Sequence, residues 1–196
     1  LLVSENRPEW MISDLSIMLS GGITVPTYTT YAERDYEYII DDCTPTIIFI
    51  SDKKQYEKIK NIIPKKNFIK KVIFFDYVDK IDSDFNLNIN NIFKKEKSKE
   101  LNFFDLKIQR RDVSCIIYTS GTQGNPKGVM LSHGGILNNC EGAYNLLKKF
   151  ISEKPKFLTW LPLSHSYEHT VQFVQIVVGA KVFYAESIDK LIKNMS

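Results

Sequence analysis

Two stretches, Thr46-Ile47-Ile48-Phe49-Ile50 and Val72-Ile73-Phe74-Phe75, decide the fold. Each is continuously apolar rather than alternating, the pattern of a strand covered on both faces. Between them Asp52 stands where a helix cap belongs, and 53–63 reads as a helix. Strand, helix, strand in that order predicts parallel neighbours joined by a crossover. Upstream, Asn6 is expected to cap a helix with Pro8 in its first turn. Met11, Leu15, Met18 and Leu19 recur there at helical spacing until Gly21-Gly22. A strand follows over 23–26 and a helix over 32–42, ended by Thr44-Pro45. Downstream, 76–111 is rich in Asn, Asp and Lys and reads as a long connection with a short helix over 89–99. Strands are then expected at 114–118, 128–132, 157–160 and 180–184, with helices at 135–150 and 167–178. The expectation is an α/β fold of layered, mostly parallel sheets flanked by helices. Its parts are a first α/β segment (1–75), the polar connection (76–111) and a second segment (112–196).

Composition narrows the function. The 196 residues are 43% hydrophobic and 25% charged, enough apolar surface for a packed core. The net charge of +3 is too balanced to argue a nucleic-acid partner, and only 4 of the 26 cations are Arg, so forks for bidentate phosphate or base contacts are few; no nucleic-acid partner is expected. Lys53, Lys54, Lys58, Lys60, Lys65, Lys66, Lys70 and Lys71 crowd one stretch, which reads as a solvated helix face. Cys43, Cys115 and Cys140 are widely spaced and odd in number, which favours a reducing compartment and a cytoplasmic location. No run of about 18 apolar residues is present. The chain opens on Leu1-Leu2-Val3 without a signal pattern and closes inside a helical one, as expected of a stretch of a longer protein.

The chemistry concentrates in Tyr118-Thr119-Ser120-Gly121-Thr122-Gln123-Gly124-Asn125-Pro126-Lys127-Gly128. Three glycines, three hydroxyls, a Gln and a Lys lie between two apolar strands. Glycine lets backbone N–H groups approach a ligand closely, and successive N–H groups make a concavity for an anion. Hydroxyls add donors to phosphate oxygens, and Lys127 adds a point charge. The composition is that of a polyphosphate cradle. It is not a Walker A loop: Pro126-Lys127-Gly128 stands where Gly-Lys-Ser/Thr belongs, and Val129-Met130-Leu131 is strand-like rather than helical.

This loop, continued through Val129-Met130-Leu131-Ser132-His133, resembles the phosphate-loop signature of the adenylate-forming enzymes. Two further stretches resemble the long-chain fatty acyl-CoA synthetases within that superfamily. They are Glu5-Asn6-Arg7-Pro8-Glu9-Trp10, running on to Gly21-Gly22-Ile23-Thr24-Val25-Pro26, and Leu161-Pro162-Leu163-Ser164-His165-Ser166-Tyr167-Glu168-His169. The resemblance implies the large N-terminal domain of such an enzyme, without its C-terminal domain, and a chain inactive by itself. It implies ATP, Mg²⁺ and coenzyme A as cofactor and substrates, and a long-chain fatty acid that becomes acyl-adenylate and then acyl-CoA. By the same resemblance Thr119, Ser120, Gly121, Thr122, Gln123, Gly124 and Lys127 hold the phosphates, Lys127 acts on the leaving group, and Thr119 ligates Mg²⁺. His165, Tyr167 and Glu168 border the adenylate and acyl pocket. The apolar stretch 171–178 reads either as tunnel lining or as plain core. A peripheral contact at the inner or cytoplasmic membrane face also follows.

Two other readings compete. His165-x-x-Glu168-His169 matches an inverted zinc-peptidase motif, with both histidines on one helical face and Glu168 as base. The third reading is a non-catalytic nucleotide-binding relative, raised by Gln123 where the family usually has Thr. A Gln amide still donates to phosphate. Gln123→Thr is therefore expected to leave ATP-dependent activity of the complete protein within about tenfold, since one neutral hydrogen bond nets about 1 kcal/mol. A gain of several hundredfold, read by steady-state kinetics, would mark the native loop as disabled.

Overall fold

The computed structural model describes residues 1–78, 84–95, 106–119, 125–185 and 190–192. Five strands form one wholly parallel sheet: β1 (Leu2–Val3), β2 (Pro26–Thr27), β3 (Ile47–Ile50), β4 (Lys71–Phe74) and β5 (Asn86–Asn88). Their order is β2-β1-β3-β4-β5. Helices α1 (Pro8–Leu19), α2 (Glu33–Cys43) and α3 (Lys53–Glu57) make the crossovers, and α4 (Ile89–Lys95) follows β5. The period of two in a strand explains how the continuous apolar runs are spent. Val3, Ile48, Ile50, Val72 and Phe74 meet Tyr36, Ile39 and Ile40 of α2 on one face. Leu2, Ile73 and Phe75 meet Trp10 and Met11 of α1 on the other.

The second segment begins with a hairpin, β6 (Val113–Thr119) and β7 (Lys127–Ser132), paired antiparallel. It is not a separate layer. Thr24 bridges Cys115 in parallel, with Thr24 N–H donating to Ser114 O and Ile116 N–H to Thr24 O. The hairpin thus continues the large sheet beyond β2. Helix α5 (His133–Leu147) is capped by Ser132, whose Oγ accepts from Gly135 N–H at 3.1 Å. A parallel pair, β8 (Lys156–Thr159) and β9 (Lys181–Tyr184), flanks α6 (Ser166–Val177). Cys115, Ile117, Ile136, Cys140 and Val174 form the core between the hairpin, α5 and α6.

The layered, mostly parallel architecture is as expected, and several local readings change: β1 at Leu2–Val3 was not expected, the strand read at 23–26 is Pro26–Thr27, and the helix read at 135–150 is His133–Leu147. Asp52 does cap its helix, accepting from Gln55 N–H, but α3 stops at Glu57 and gives way to turns and a 3-10 turn at Ile63–Lys65. Part of the polar connection is ordered structure: β5 pairs with β4 although its sequence is Asn-Leu-Asn. It could not be read as a strand because only Leu87 contributes apolar surface there. The rest of 79–83 and 96–105 lies outside the described residues. Asn6 is not a cap. Arg7 holds that position, and no side chain caps α1. Asn6 instead donates from Nδ2 to Leu161 O at 2.6 Å and accepts at Oδ1 from Leu163 N–H at 2.9 Å.

The lysine-rich stretch is not one helix face, because α3 ends at Glu57 and only Lys53 and Lys54 lie in it; several of the others are paired. Lys58 donates to Thr29 O, Lys60 pairs with Glu57, Lys66 with Asp41 at 2.5 Å, and Lys71 donates to Asp84 O. Among the described residues no helix is long and apolar enough to cross a membrane.

The bridge through Asn6 yields a test. Asn6→Ala strands the Leu161 carbonyl and the Leu163 N–H of one turn and is expected to cost about 1–3 kcal/mol. Asn6→Ser, an equally good helix cap, should lose as much, because a hydroxyl cannot span both partners. Recovery in Asn6→Ser, read from urea unfolding, would restore the capping role.

Candidate functional site

Every strand of the large sheet runs the same way, so their carboxyl ends share one edge. Ser4, Tyr28 and Ser51 follow β1, β2 and β3 there, and Thr119 ends β6 beside them. This is the edge at which open α/β sheets hold ligands. A cleft of about 420 Å³ opens at it, lined by Glu5, Tyr28, Thr29, Trp160, Ser164 and Tyr184 among others. The cleft lies between the large sheet and the β8–β9 pair.

Thr119 and Lys127 are directly opposed across the hairpin. Opposed residues of an antiparallel pair project from one face with Cβ atoms about 5 Å apart. Both are exposed. A hydroxyl and an ammonium side by side suit an anion with several oxygens. Ser120, Gly121, Thr122, Gln123 and Gly124 lie outside the described residues. Gly128 is required by packing: a Cβ there would meet Ile116 Cγ2 at 2.8 Å and the Tyr118 ring at 3.3 Å. The donors present fit phosphate oxygens. As the chain's own contribution to Mg²⁺ they offer one neutral hydroxyl, that of Thr119, so such an ion would rest largely on phosphate oxygens.

His165 is exposed and caps α6, its Nδ1 accepting from Tyr167 N–H at 3.2 Å. Tyr167 is 63% exposed, whereas Glu168 is 4% exposed. Burial pushes the Glu168 carboxyl above its ordinary value, and hydrogen bonds with Thr159 and Gln172 pull it back. Gln172 and Gln175 are buried too: Gln172 Nε2 donates to Thr159 Oγ1 at 2.5 Å and to Gln175 Oε1 at 2.9 Å, and Tyr184 Oη donates to Gln172 Oε1 at 3.3 Å. The stretch 171–178 therefore turns amides inward and leaves Ile176 and Val177 about half exposed. The only sequence signal of this network is the pair of glutamines interrupting an apolar run.

The zinc reading fails on geometry. His169 points away from His165 into the core, where Nε2 meets Asp14 Oδ2 at 2.8 Å and Nδ1 lies 3.9 Å from Cys115 Sγ. Trp10 packs edge-on against its ring at 5.3 Å. Both ring nitrogens face other side chains, and His165 spends Nδ1 on its own helix. Among the described residues no group of three or more His, Cys, Asp or Glu side chains could hold a metal ion. Asp14 was not legible as a partner, since a lone Asp in an apolar helical stretch reads as solvent-facing.

Residues 1–195 match the model of the AMP-binding enzyme family. The chain is 32% identical to long chain acyl-CoA synthetase 4 of Arabidopsis thaliana, over 97% of this chain and 30% of that protein. It is 28% identical to fatty acyl-CoA synthetase A of Dictyostelium discoideum, over 99% of this chain and 30% of that one. The chain thus spans about 30% of the length of these curated relatives. Its fold is similar to that of a natural red emitting luciferase from Phrixothrix hirtus, with a TM-score of 0.80 at 20% identity, over 95% of this chain and 36% of that chain.

The buried pair carries a pH signature. Burial lowers the His169 pKa, but the hydrogen bonds to Asp14 and Cys115 and the Asp14 charge outweigh it and raise the pKa to about 9. A folded pKa above the unfolded value of about 6.5 means stability that is complete below 6.5 and lost as pH rises through 9. Unfolding free energy is expected to fall across that window at up to about 1.4 kcal/mol per unit. Denaturant titrations of wild type and His169→Gln from pH 6 to 10 check it through the difference between the two profiles, which should fall across that window. A difference between the two profiles that stays constant from 6.5 to 9 would refute the charged pair.

Proposed function

Because the chain belongs to the AMP-binding enzyme family, we propose that it is the phosphate-binding part of a long-chain fatty acid–CoA ligase. The observation that carries this reading is the Thr119–Lys127 pair at the carboxyl edge of the sheet, beside the cleft. In the first step a fatty acid carboxylate oxygen attacks the α-phosphorus of ATP, and the bond to the bridging oxygen of pyrophosphate breaks. In the second, coenzyme A thiolate attacks the acyl carbonyl and AMP leaves. The names of the relatives support a long-chain fatty acid as the acid and coenzyme A as the acceptor.

The residues of this chain act on charge and position. Lys127 faces the β- and γ-phosphates and stabilises the negative charge that grows on pyrophosphate as it departs. Thr119 donates to the same oxygens and is the chain's ligand for Mg²⁺, which when bound neutralises phosphate charge. The stretch 120–124 supplies backbone N–H groups by its composition. His165 and Tyr167, exposed at the start of α6, border the adenylate, with Glu168 and its amide network supporting that turn from below. A long acyl chain gains about 0.8 kcal/mol per buried CH₂ in a bilayer, which supports a peripheral membrane contact for substrate uptake.

ATP–pyrophosphate exchange by the complete protein tests the reading with acids from acetate to palmitate. Exchange should depend on the acid and favour the long chains. Lys127→Ala should slow it by about 10²- to 10³-fold, the loss typical of one preorganised donor. An unchanged exchange rate in Lys127→Ala would remove Lys127 from the chemistry, and exchange with no acid dependence would refute the ligase.

A further inference from the structure

Thr119 and Lys127 are exposed, so burial of their own side chains does not fix where they stand. Their placement comes from the strand ends that carry them. The residue before Thr119 is Tyr118, only 3% exposed and part of the same core cluster as Ile39 and Ile40 of α2. Its Oη donates to Asp42 Oδ2 at 2.5 Å, across 76 positions of sequence. A buried tyrosine hydroxyl needs such a partner.

The location of that partner is unfavourable by itself. Asp42 is in the last turn of α2, where the helix dipole disfavours a carboxylate and where no basic residue offsets it. Asp41 beside it is taken by Lys66. Thr44 then ends the helix at φ 41°, in the left-handed region that a β-branched residue rarely adopts, and Pro45 prevents continuation. The helix end is thus held in one place with its carboxylate against Tyr118. On the other strand Gly128 pairs with Tyr118, and a Cβ at 128 would come within 3.3 Å of the tyrosine ring and 2.8 Å of Ile116 Cγ2. The ring is held at its hydroxyl by α2 and lies close to Gly128 of β7. The next pair outward is Thr119 and Lys127.

We propose that Tyr118 and Asp42 are positioning residues, whose hydrogen bond ties the mouth of the β6–β7 hairpin to the end of α2 and so sets the separation and direction of Thr119 and Lys127. This rests on the ligase reading only for its kinetic consequence. The carboxylate holds the hydroxyl and touches no substrate. Losing the bond lets the strand ends shift, and ATP must then pay the ordering at binding. The effect falls on ATP affinity more than on the chemical step.

Two measurements on the complete protein test it. In Tyr118→Phe the ring stays and the hydroxyl goes. The KM for MgATP is expected to rise about tenfold, the worth of one charge-assisted hydrogen bond, with kcat within about threefold. Asp42→Ala should match it, the double variant should be no worse than either single one, and Asp42→Asn, which keeps an acceptor, should stay within about threefold of wild type. Hydrogen–deuterium exchange reports without any activity: peptides spanning 117–119 and 127–129 should exchange faster in Tyr118→Phe and Asp42→Ala, while those of β3 and β4 do not change. If Tyr118→Phe fails to fold, Asp42→Ala carries both measurements. Additive effects, an unchanged KM, or faster exchange throughout the sheet would overturn the proposal. A wild type without acid-dependent exchange of pyrophosphate, but with local loss of protection in both variants, would refute the ligase reading and leave the positioning role standing.

Discussion

The pairing of His169 with Asp14 is the contact on which the arrangement of the two segments depends. The residues are 155 positions apart, and both are essentially inaccessible to water. The pair ties α1, beneath the large sheet, to α6, beside the smaller one, while the far edge of the imidazole touches Cys115 in β6. A buried ion pair is no stronger than a well-packed apolar substitute, but its geometry is far less forgiving. Either partner alone would be a buried, uncompensated charge. The sheet, the hairpin and α6 therefore meet in one relative position. Asn6 repeats the connection at the surface of the same junction, holding the 161–163 turn to the end of β1.

That fixed junction makes the cleft. Parallel strands place all their carboxyl ends on one side, but a sheet edge alone is flat. The cleft needs a second wall, which comes from Trp160, Ser164 and Tyr184 around the β8–β9 pair. The hairpin joins the same edge through Thr24 and Cys115, so its open end, with Thr119 and Lys127, stands at the same level as Ser4 and Tyr28. The site is thus an outcome of strand direction and of one junction, and polar residues scattered through the sequence converge on it.

Helix α6 shows how packing overrides a hydrophobic pattern. Its apolar run suggests an inward apolar face. Instead Gln172 and Gln175 lie buried among Thr159, Glu168 and Tyr184, satisfied by one another, while Ile176 and Val177 are turned outward. A fully partnered polar network is admissible in a core, since each amide recovers its hydrogen bonds. Period alone cannot show that partners will be available, because they come from β8 and β9.

The mostly parallel sheet and most of the order of strands and helices were legible in the residues, because they rest on local chemistry, whereas β1, two residues long, and the polar β5 were not. Apolar runs make strands, and Asp52 caps the helix that follows it. The membership of His165, Tyr167 and Glu168 in one turn was equally local. Packing between distant segments is what makes Asn6 a bridge instead of a cap, gives His169 to Asp14 instead of to a metal, and turns an Asn-Leu-Asn segment into a strand. It alone brought Asp42 to Tyr118. In each case the partner is 14 to 157 positions away, and a polar group with several possible hydrogen bonds takes the one that the packed neighbours leave unsatisfied.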